Sequence, residues 1–79
     1  MEITKGILDE YRELTTRYVN ASKQLRELLP RITDLSKAEK LPEKMVLRKL
    51  LRDCDKAEEE IEATLIGFRQ VRRRLLSLI

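Results

Sequence analysis

Two long stretches of the chain carry apolar residues at spacings that alternate between three and four. In the second stretch, two series repeat every seven residues, and every member except Thr64 is apolar. One series is Leu47, Cys54, Ile61, Phe68 and Leu75, and the other is Leu50, Ala57, Thr64, Val71 and Leu78. This spacing keeps one stripe of a helix against a neighbouring helix, as in a coiled coil. The pattern predicts a helix from about residue 42 to 77.

The first stretch shows the same alternation. Its two series are Thr4, Tyr11, Tyr18, Leu25 and Ile32, and Ile7, Leu14, Ala21, Leu28 and Leu35. We predict a first helix over about residues 3–29. Pro30 has no N–H to donate, and its ring clashes with the carbonyl of Arg26. The chain therefore either kinks there or starts a short helix over 31–36, which is the version we favour because Ile32 and Leu35 stay in phase.

Residues 36–41 form the predicted loop, and Pro42 suits the first position of the next helix. Two helices joined by so short a loop should fold back antiparallel. That register pairs each apolar residue of one helix with one of the other. It also places Tyr11 opposite Phe68 and brings Arg17 close to Glu60. The alternative is that the two helices pair between chains instead of within one.

More apolar residues are present than the two series require. Five of them flank the series on one side of each helix: Leu8, Leu29, Leu51, Leu65 and Ile79. Scattered apolar residues are normal on protein surfaces. A core this small rarely suffices alone, however, so we expect this flank to bind a partner helix. The predicted fold class is all-α, a single domain over residues 1–79. It is an antiparallel two-helix hairpin, completed to a helical bundle by oligomerisation or by a partner.

Composition agrees with a helical fold. The 79 residues include only two Gly and two Pro, and 39% are charged whereas 4% are aromatic. This mixture is typical of long helices and coiled coils. The single Cys54 excludes an internal disulfide, and the N-terminal residues lack the pattern of a signal peptide. We therefore expect a cytoplasmic protein.

Candidate chemistry is sparse. Without histidine, the chain lacks the usual general base and the commonest metal ligand. Cys54 falls within an apolar series, which favours a buried structural residue over a nucleophile. The acidic run from Asp53 to Glu62 has no accompanying loop with the spacing of a calcium site. We expect no catalytic activity, no cofactor and no metal site.

A basic cluster near the C-terminus leaves a second function open. It comprises Arg69, Arg72, Arg73 and Arg74. These arginines could contact nucleic acid or another anionic partner through phosphates or carboxylates. They could equally complement the negative end of the helix dipole. The net charge is only +3, and no aromatic residue interrupts the cluster for base stacking, so the sequence argues against nucleic acid. Other basic residues lie at the far end of the second predicted helix, but the acidic run separates them from the cluster, so there is no continuous basic track: Lys40, Lys44, Arg48, Lys49 and Arg52. A membrane-surface role for residues 68–79 is also disfavoured, because the two heptad series already use the apolar face of the helix.

The expected function is that of a non-enzymatic protein–protein interaction subunit, such as a small adaptor, scaffold or chaperone-like component. Its partner would be another protein or a second copy of the chain. In size and layout alone, the chain resembles the small hairpin co-chaperones of bacterial type III secretion, which pair with a second subunit to hold a needle protein. It is also similar to small coiled-coil subunits of eukaryotic scaffolds. The alternative is a nucleic-acid-binding hairpin that uses the C-terminal arginines.

Overall fold

The computed structural model describes residues 2–79 as three helices. They are α1 (Glu2–Glu27), α2 (Leu29–Lys37) and α3 (Lys44–Ser77), and no strand occurs in this range. Helices α1 and α3 pack lengthwise, with early residues of α1 beside late residues of α3, so they run antiparallel. The resulting rod measures 60 × 16 × 15 Å. The predicted all-α helical hairpin is confirmed.

The break between α1 and α2 falls at Leu28, two residues before Pro30. The Leu28 N–H donates to the carbonyl of Leu25 at 3.1 Å, a tighter turn than an α-helix makes, and the Ile32 N–H then donates to Leu28 at 3.0 Å. Regular bonding therefore resumes at once, because Pro30 lies in the first turn of α2, where its missing N–H costs little. The helical path therefore bends at Leu28 and continues as α2 over Leu29–Lys37, a longer segment than the predicted 31–36.

The connection to α3 covers residues 38–43, later than the predicted loop of 36–41. Ala38 and Glu43, at its two ends, have extended backbone with ψ of 137° and 149°. Helix α3 begins at Lys44, so Pro42 lies outside it rather than at its first position. The Cα atoms of α2 stay more than 8 Å from those of α3. The extended connection spans this gap, which a tight turn could not do.

Only one of the two heptad series of each stretch is buried, and its last residue, Leu35 or Leu78, is half-buried or exposed. We call the buried residues the inner series: Ile7, Leu14, Ala21, Leu28, Leu50, Ala57, Thr64 and Val71. The apolar residues of the other series form the outer series, and they are half-buried or exposed: Tyr11, Tyr18, Leu25, Ile32, Leu47, Cys54, Ile61, Phe68 and Leu75. The hairpin therefore closes along one side of its seam and leaves the other side accessible. The sequence had predicted that both series would be buried together.

Small residues allow this close contact. Ala21 and Ala57 are 2% and 1% exposed, so the two helices meet there with little side chain between them. Gly67 likewise leaves room for the side chain of Leu14, since a Cβ on Gly67 would lie only 2.7 Å from Leu14 Cδ2. Thr64 is fully buried, and its hydroxyl donates to the carbonyl of Ile61 at 2.7 Å. The buried hydroxyl is thus satisfied within its own helix.

Candidate interaction surface

Ion pairs between α1 or α2 and α3 line one edge of the hairpin. Arg17 Nε donates to Glu60 Oε1 at 2.7 Å, as the predicted register required. Two further cross-helix pairs join Arg31 to Asp53, at 2.8 Å, and Arg74 to Glu10. Each of these six residues lies three positions after an inner-series residue. We call this row the closed edge, because it borders the buried side of the seam along most of the rod.

Two of the three ion pairs on the closed edge shift the pKa of their carboxyl groups. The hydrogen bond from Arg17, followed by its charge, lowers the pKa of the Glu60 carboxyl. The hydrogen bond from Arg31 likewise lowers the pKa of Asp53, with smaller help from the charges of Arg31 and Lys49. The hydrogen bond with Glu60 also raises the pKa of Arg17. All these side chains remain substantially exposed, so the pairs mainly fix register and orientation.

The opposite edge is apolar. Leu8, Leu29, Leu51 and Leu65 each lie four positions after an outer-series position, which puts them on the side away from the ion pairs. They are 55%, 60%, 62% and 43% exposed, respectively. Four of the five residues predicted to bind a partner therefore share one side of the hairpin. The fifth, Ile79, follows the end of α3 and is fully exposed, so nothing holds it against this side.

The outer series and the four leucines Leu8, Leu29, Leu51 and Leu65 together make up what we call the open face. An aromatic cluster occupies one end of it. The rings of Tyr11 and Phe68 are 5.2 Å apart, which confirms that predicted layer, and Tyr18 approaches Phe68 edge-on at 6.0 Å. Both tyrosines are at least one-third exposed. These rings are thus ordered against one another while they still offer apolar surface.

The open face is wide at its two ends and narrower between them. Leu8 and Leu65 widen it beside the aromatic cluster, and Leu29 and Leu51 widen it towards the turn. Between these pairs, the equivalent flanking positions hold polar residues, namely Thr15, Ser22 and Glu58. The result is an apolar groove along the seam with two broader ends.

Cys54 belongs to the outer series and is only half-buried. The sequence predicted a buried position, and this prediction is wrong in degree, because the helices close along the inner series instead. Along the sequence, Cys54 falls between Leu47 and Ile61 of the same series. Its position makes it part of the open face rather than of the core.

The structure divides the C-terminal arginines instead of combining them. Arg74 belongs to the closed edge and pairs with Glu10. Arg69, Arg72 and Arg73 surround a shallow depression with Leu76. Of these, Arg69 and Arg72 lie next to the open face, because they follow Phe68 by one and four positions. The four residues therefore do not form a single anion-binding row.

Within the described residues, no group of three or more acidic or thiol side chains is arranged to hold a metal ion. Every buried side-chain polar atom in the same range has a hydrogen-bond partner. In residues 2–79, none of the helices has both the length and the apolar character needed to cross a lipid bilayer.

The sequence missed the exposure of the outer series, although a signal was present. Six of the eight positions that lie three after an inner-series residue are charged, and they form pairs of opposite sign between the helices, whereas the positions beside the outer series carry leucines at four places. Oppositely charged side chains pair across an edge that faces water, and leucines remain available for another apolar surface.

Comparison with known proteins gives no further information on function, since no known protein family, no curated protein and no solved structure matches this chain.

Proposed function

We propose that this chain is a non-enzymatic interaction subunit that holds a partner α-helix along its open face. The observation that carries the proposal is the asymmetry of the hairpin. One edge is closed by three ion pairs, whereas the other presents four exposed leucines beside half-buried aromatic and aliphatic residues. An apolar groove between two helices is the usual seat for a third helix of matching pattern.

The accessible surface of the chain supports the same function. The hairpin exposes 6956 Å² for a mass of 9.4 kDa. A compact monomer of this mass exposes about 5,000 Å². A standard protein–protein interface buries about 800 Å² on each partner, so the excess of roughly 2,000 Å² is more than enough for one such interface. Packing a helix on the open face would reduce the accessible surface of the chain towards the value expected for a compact domain of its mass.

The open face also defines the length of the partner helix. It extends along the first two helices from Leu8 to Ile32. At 1.5 Å per residue this is about 36 Å, or about seven helical turns. Burying the exposed parts of several leucines and aromatic rings contributes about 1 kcal/mol or more each. That gain must exceed the cost of association, which is why the whole length is needed.

Two neighbouring residues provide a matched test. Leu65 lies on the open face and is 43% exposed, whereas Ile66 points away from it and is 49% exposed. We expect Leu65→Glu to abolish association with the partner and Ile66→Glu to leave it intact. The measurement combines sedimentation equilibrium of the purified chain with affinity purification from the source cells, using wild type and both variants.

Circular dichroism at matched concentration serves as the folding control, since both variants should remain helical. A chain that is monomeric at all concentrations, with no bound protein that distinguishes the two variants, would contradict the proposed function. Equal loss of association in both variants would show that general surface hydrophobicity, and not the open face, is responsible.

A further inference from the structure

Charged residues border the open face on both helices, and we call them the rim. On α1 they are basic, namely Lys5, Arg12 and Arg26, each one position after an outer-series position. On α3 the corresponding and flanking positions read basic, acidic and basic in order: Arg48, then Asp55, Glu58 and Glu62, then Arg69 and Arg72. Six basic residues thus face three acidic ones around one groove. The described residues of this border are all exposed.

The hairpin itself neutralises little of this charge. The ion pairs that join α1 or α2 to α3 all lie on the closed edge. On the rim, Arg12 has only an ion pair with Asp9 of its own helix, at 3.7 Å and with the arginine side chain 81% exposed. Among the side chains described from residue 4 onward, no carboxylate lies within ion-pair distance of Arg26, Arg69 or Arg72. The rim therefore keeps an uncompensated positive excess.

We infer that the occupant of the open face is an amphipathic helix of a different protein, with acidic residues on either side of its apolar stripe. This inference rests on the proposed function and specifies its partner. A helix seated in the groove places its flanking residues against the α1 rim on one side and the α3 rim on the other. Carboxylates there meet Arg12 and Arg26, and charge complementarity of this kind governs partner choice and association rate.

A second copy of the chain fits less well. It would bring an identical rim with the same excess of basic residues, so two open faces would meet with like net charge. Like charges across an interface weaken association and select against that partner. The acidic stretch of Asp55, Glu58 and Glu62 adds an orientation signal, because it favours basic residues at the middle of the partner helix on the α3 side.

Two designed peptides of about 25 residues test the inference. Both carry leucine at the seam positions; one has glutamate and the other lysine at the flanking positions. We expect the full-length chain to bind the glutamate peptide at least tenfold more tightly, measured by fluorescence anisotropy at low salt. The ratio of the two peptide affinities should decrease as ionic strength rises from about 0.01 to 1 M, because exposed charges are then screened.

Matched charge reversals locate the effect. Arg26→Glu should weaken binding of the glutamate peptide about tenfold and strengthen binding of the lysine peptide. Lys56→Glu changes the net charge by the same amount, but Lys56 lies on the closed side beside Gln24 and Glu60. This control should leave both affinities within about twofold of wild type. Circular dichroism of both variants checks that the hairpin remains folded.

The other outcomes separate this inference from the proposed function. Equal binding of both peptides, lost in Leu65→Glu, would overturn the acidic partner and leave helix docking in place. A homodimer of the unliganded chain that is disrupted by Leu65→Glu but not by Ile66→Glu would also overturn it, by assigning the open face to a second copy. Binding of neither peptide at about millimolar concentration would contradict both.

Discussion

Gly67 shows how one residue sets the spacing of the two helices. A Cβ at this position would lie 2.7 Å from Leu14 Cδ2 and 3.1 Å from Cδ1, and Leu14 is itself only 8% exposed. At Gly6, by contrast, an added Cβ would meet nothing within 4 Å. The neighbour that Gly67 admits is therefore Leu14 of the same chain.

We therefore expect opposite effects from the same substitution at the two glycines. Alanine is favoured over glycine in a helix by up to about 1 kcal/mol, so Gly6→Ala should stabilise the chain by about 0.5 kcal/mol. Gly67→Ala should gain nothing and destabilise it by up to about 1 kcal/mol, because Leu14 must leave its rotamer. Urea unfolding measures both changes. Equal stabilisation by the two variants would show that Leu14 moves aside without cost.

The valines offer a second matched pair. Val71 is fully buried between the helices, whereas Val19 is 53% exposed. Val71→Ala should lower the free energy of unfolding by about 2 kcal/mol, through lost burial and an unfilled cavity. Val19→Ala should change it by no more than about 0.5 kcal/mol, and in the favourable direction, since alanine is the better helix former. Similar losses in both variants would contradict the assignment of the inner series as the core.

At the scale of elements, the ion pairs of the closed edge join helices that could otherwise slide. Arg17 and Glu60 fix the middle of the α1–α3 contact, and Arg31 reaches Asp53 from α2. That last pair is notable because the α2 backbone keeps its distance from α3. The arginine side chain is long enough to span the gap, so this ion pair links α2 to α3 across it.

These pairs predict a loss of stability in acid. The pKa of Glu60 is lowered in the folded chain, so the folded state binds a proton less readily than the unfolded state. Its contribution is therefore complete above the ordinary glutamate pKa of about 4.3 and is lost as pH falls below it. We expect the melting temperature to drop between about pH 7 and pH 3, and to drop less in Glu60→Gln.

Glu59→Gln is the matched control for this titration. Glu59 is the adjacent carboxylate, and it lies on the exposed surface of α3, one turn after Asp55. Its removal should leave the wild-type pH dependence unchanged. If Glu60→Gln and Glu59→Gln showed the same profile as wild type, the ion pair would have no part in acid sensitivity.

The element boundaries show which local signals are reliable in this sequence. Pro30 predicted a break with a short helix, because a missing N–H acts at a defined place. Pro42 was misleading, because it also suits an extended segment, and the path between α2 and α3 depends on how far α2 diverges. That divergence is a tertiary property. No residue between 36 and 43 encodes it by itself.

For the whole molecule, the hairpin could be predicted because two seams of equal period have few other ways to be buried. The open face could be predicted only in part. Periodicity places Tyr11 and Leu14 on the same stripe, but it does not say which of them faces the opposite helix. That choice depends on the residues at the two borders of the stripe, where Arg17 closes one side and Leu8 leaves the other apolar. The sequence contains both borders, but their effect emerges only when the helices are packed.

The last prediction tests whether the two seams pair within one chain. Ala21 and Ala57 are both almost fully buried, and they belong to the inner series of α1 and α3, respectively. In a Cys54→Ser background, Ala21→Cys with Ala57→Cys should oxidise to a disulfide within the monomer. Closing that loop should raise the free energy of unfolding by about 2–4 kcal/mol. Non-reducing electrophoresis and mass spectrometry distinguish this product from a covalent dimer. In the control, Ala63→Cys replaces Ala57→Cys; residue 63 lies on the exposed surface of α3 and should not cross-link to residue 21. A covalent dimer as the main product, formed even at high dilution, would mean that α1 of one chain packs against α3 of another. The open face would then belong to a dimer and not to a single hairpin.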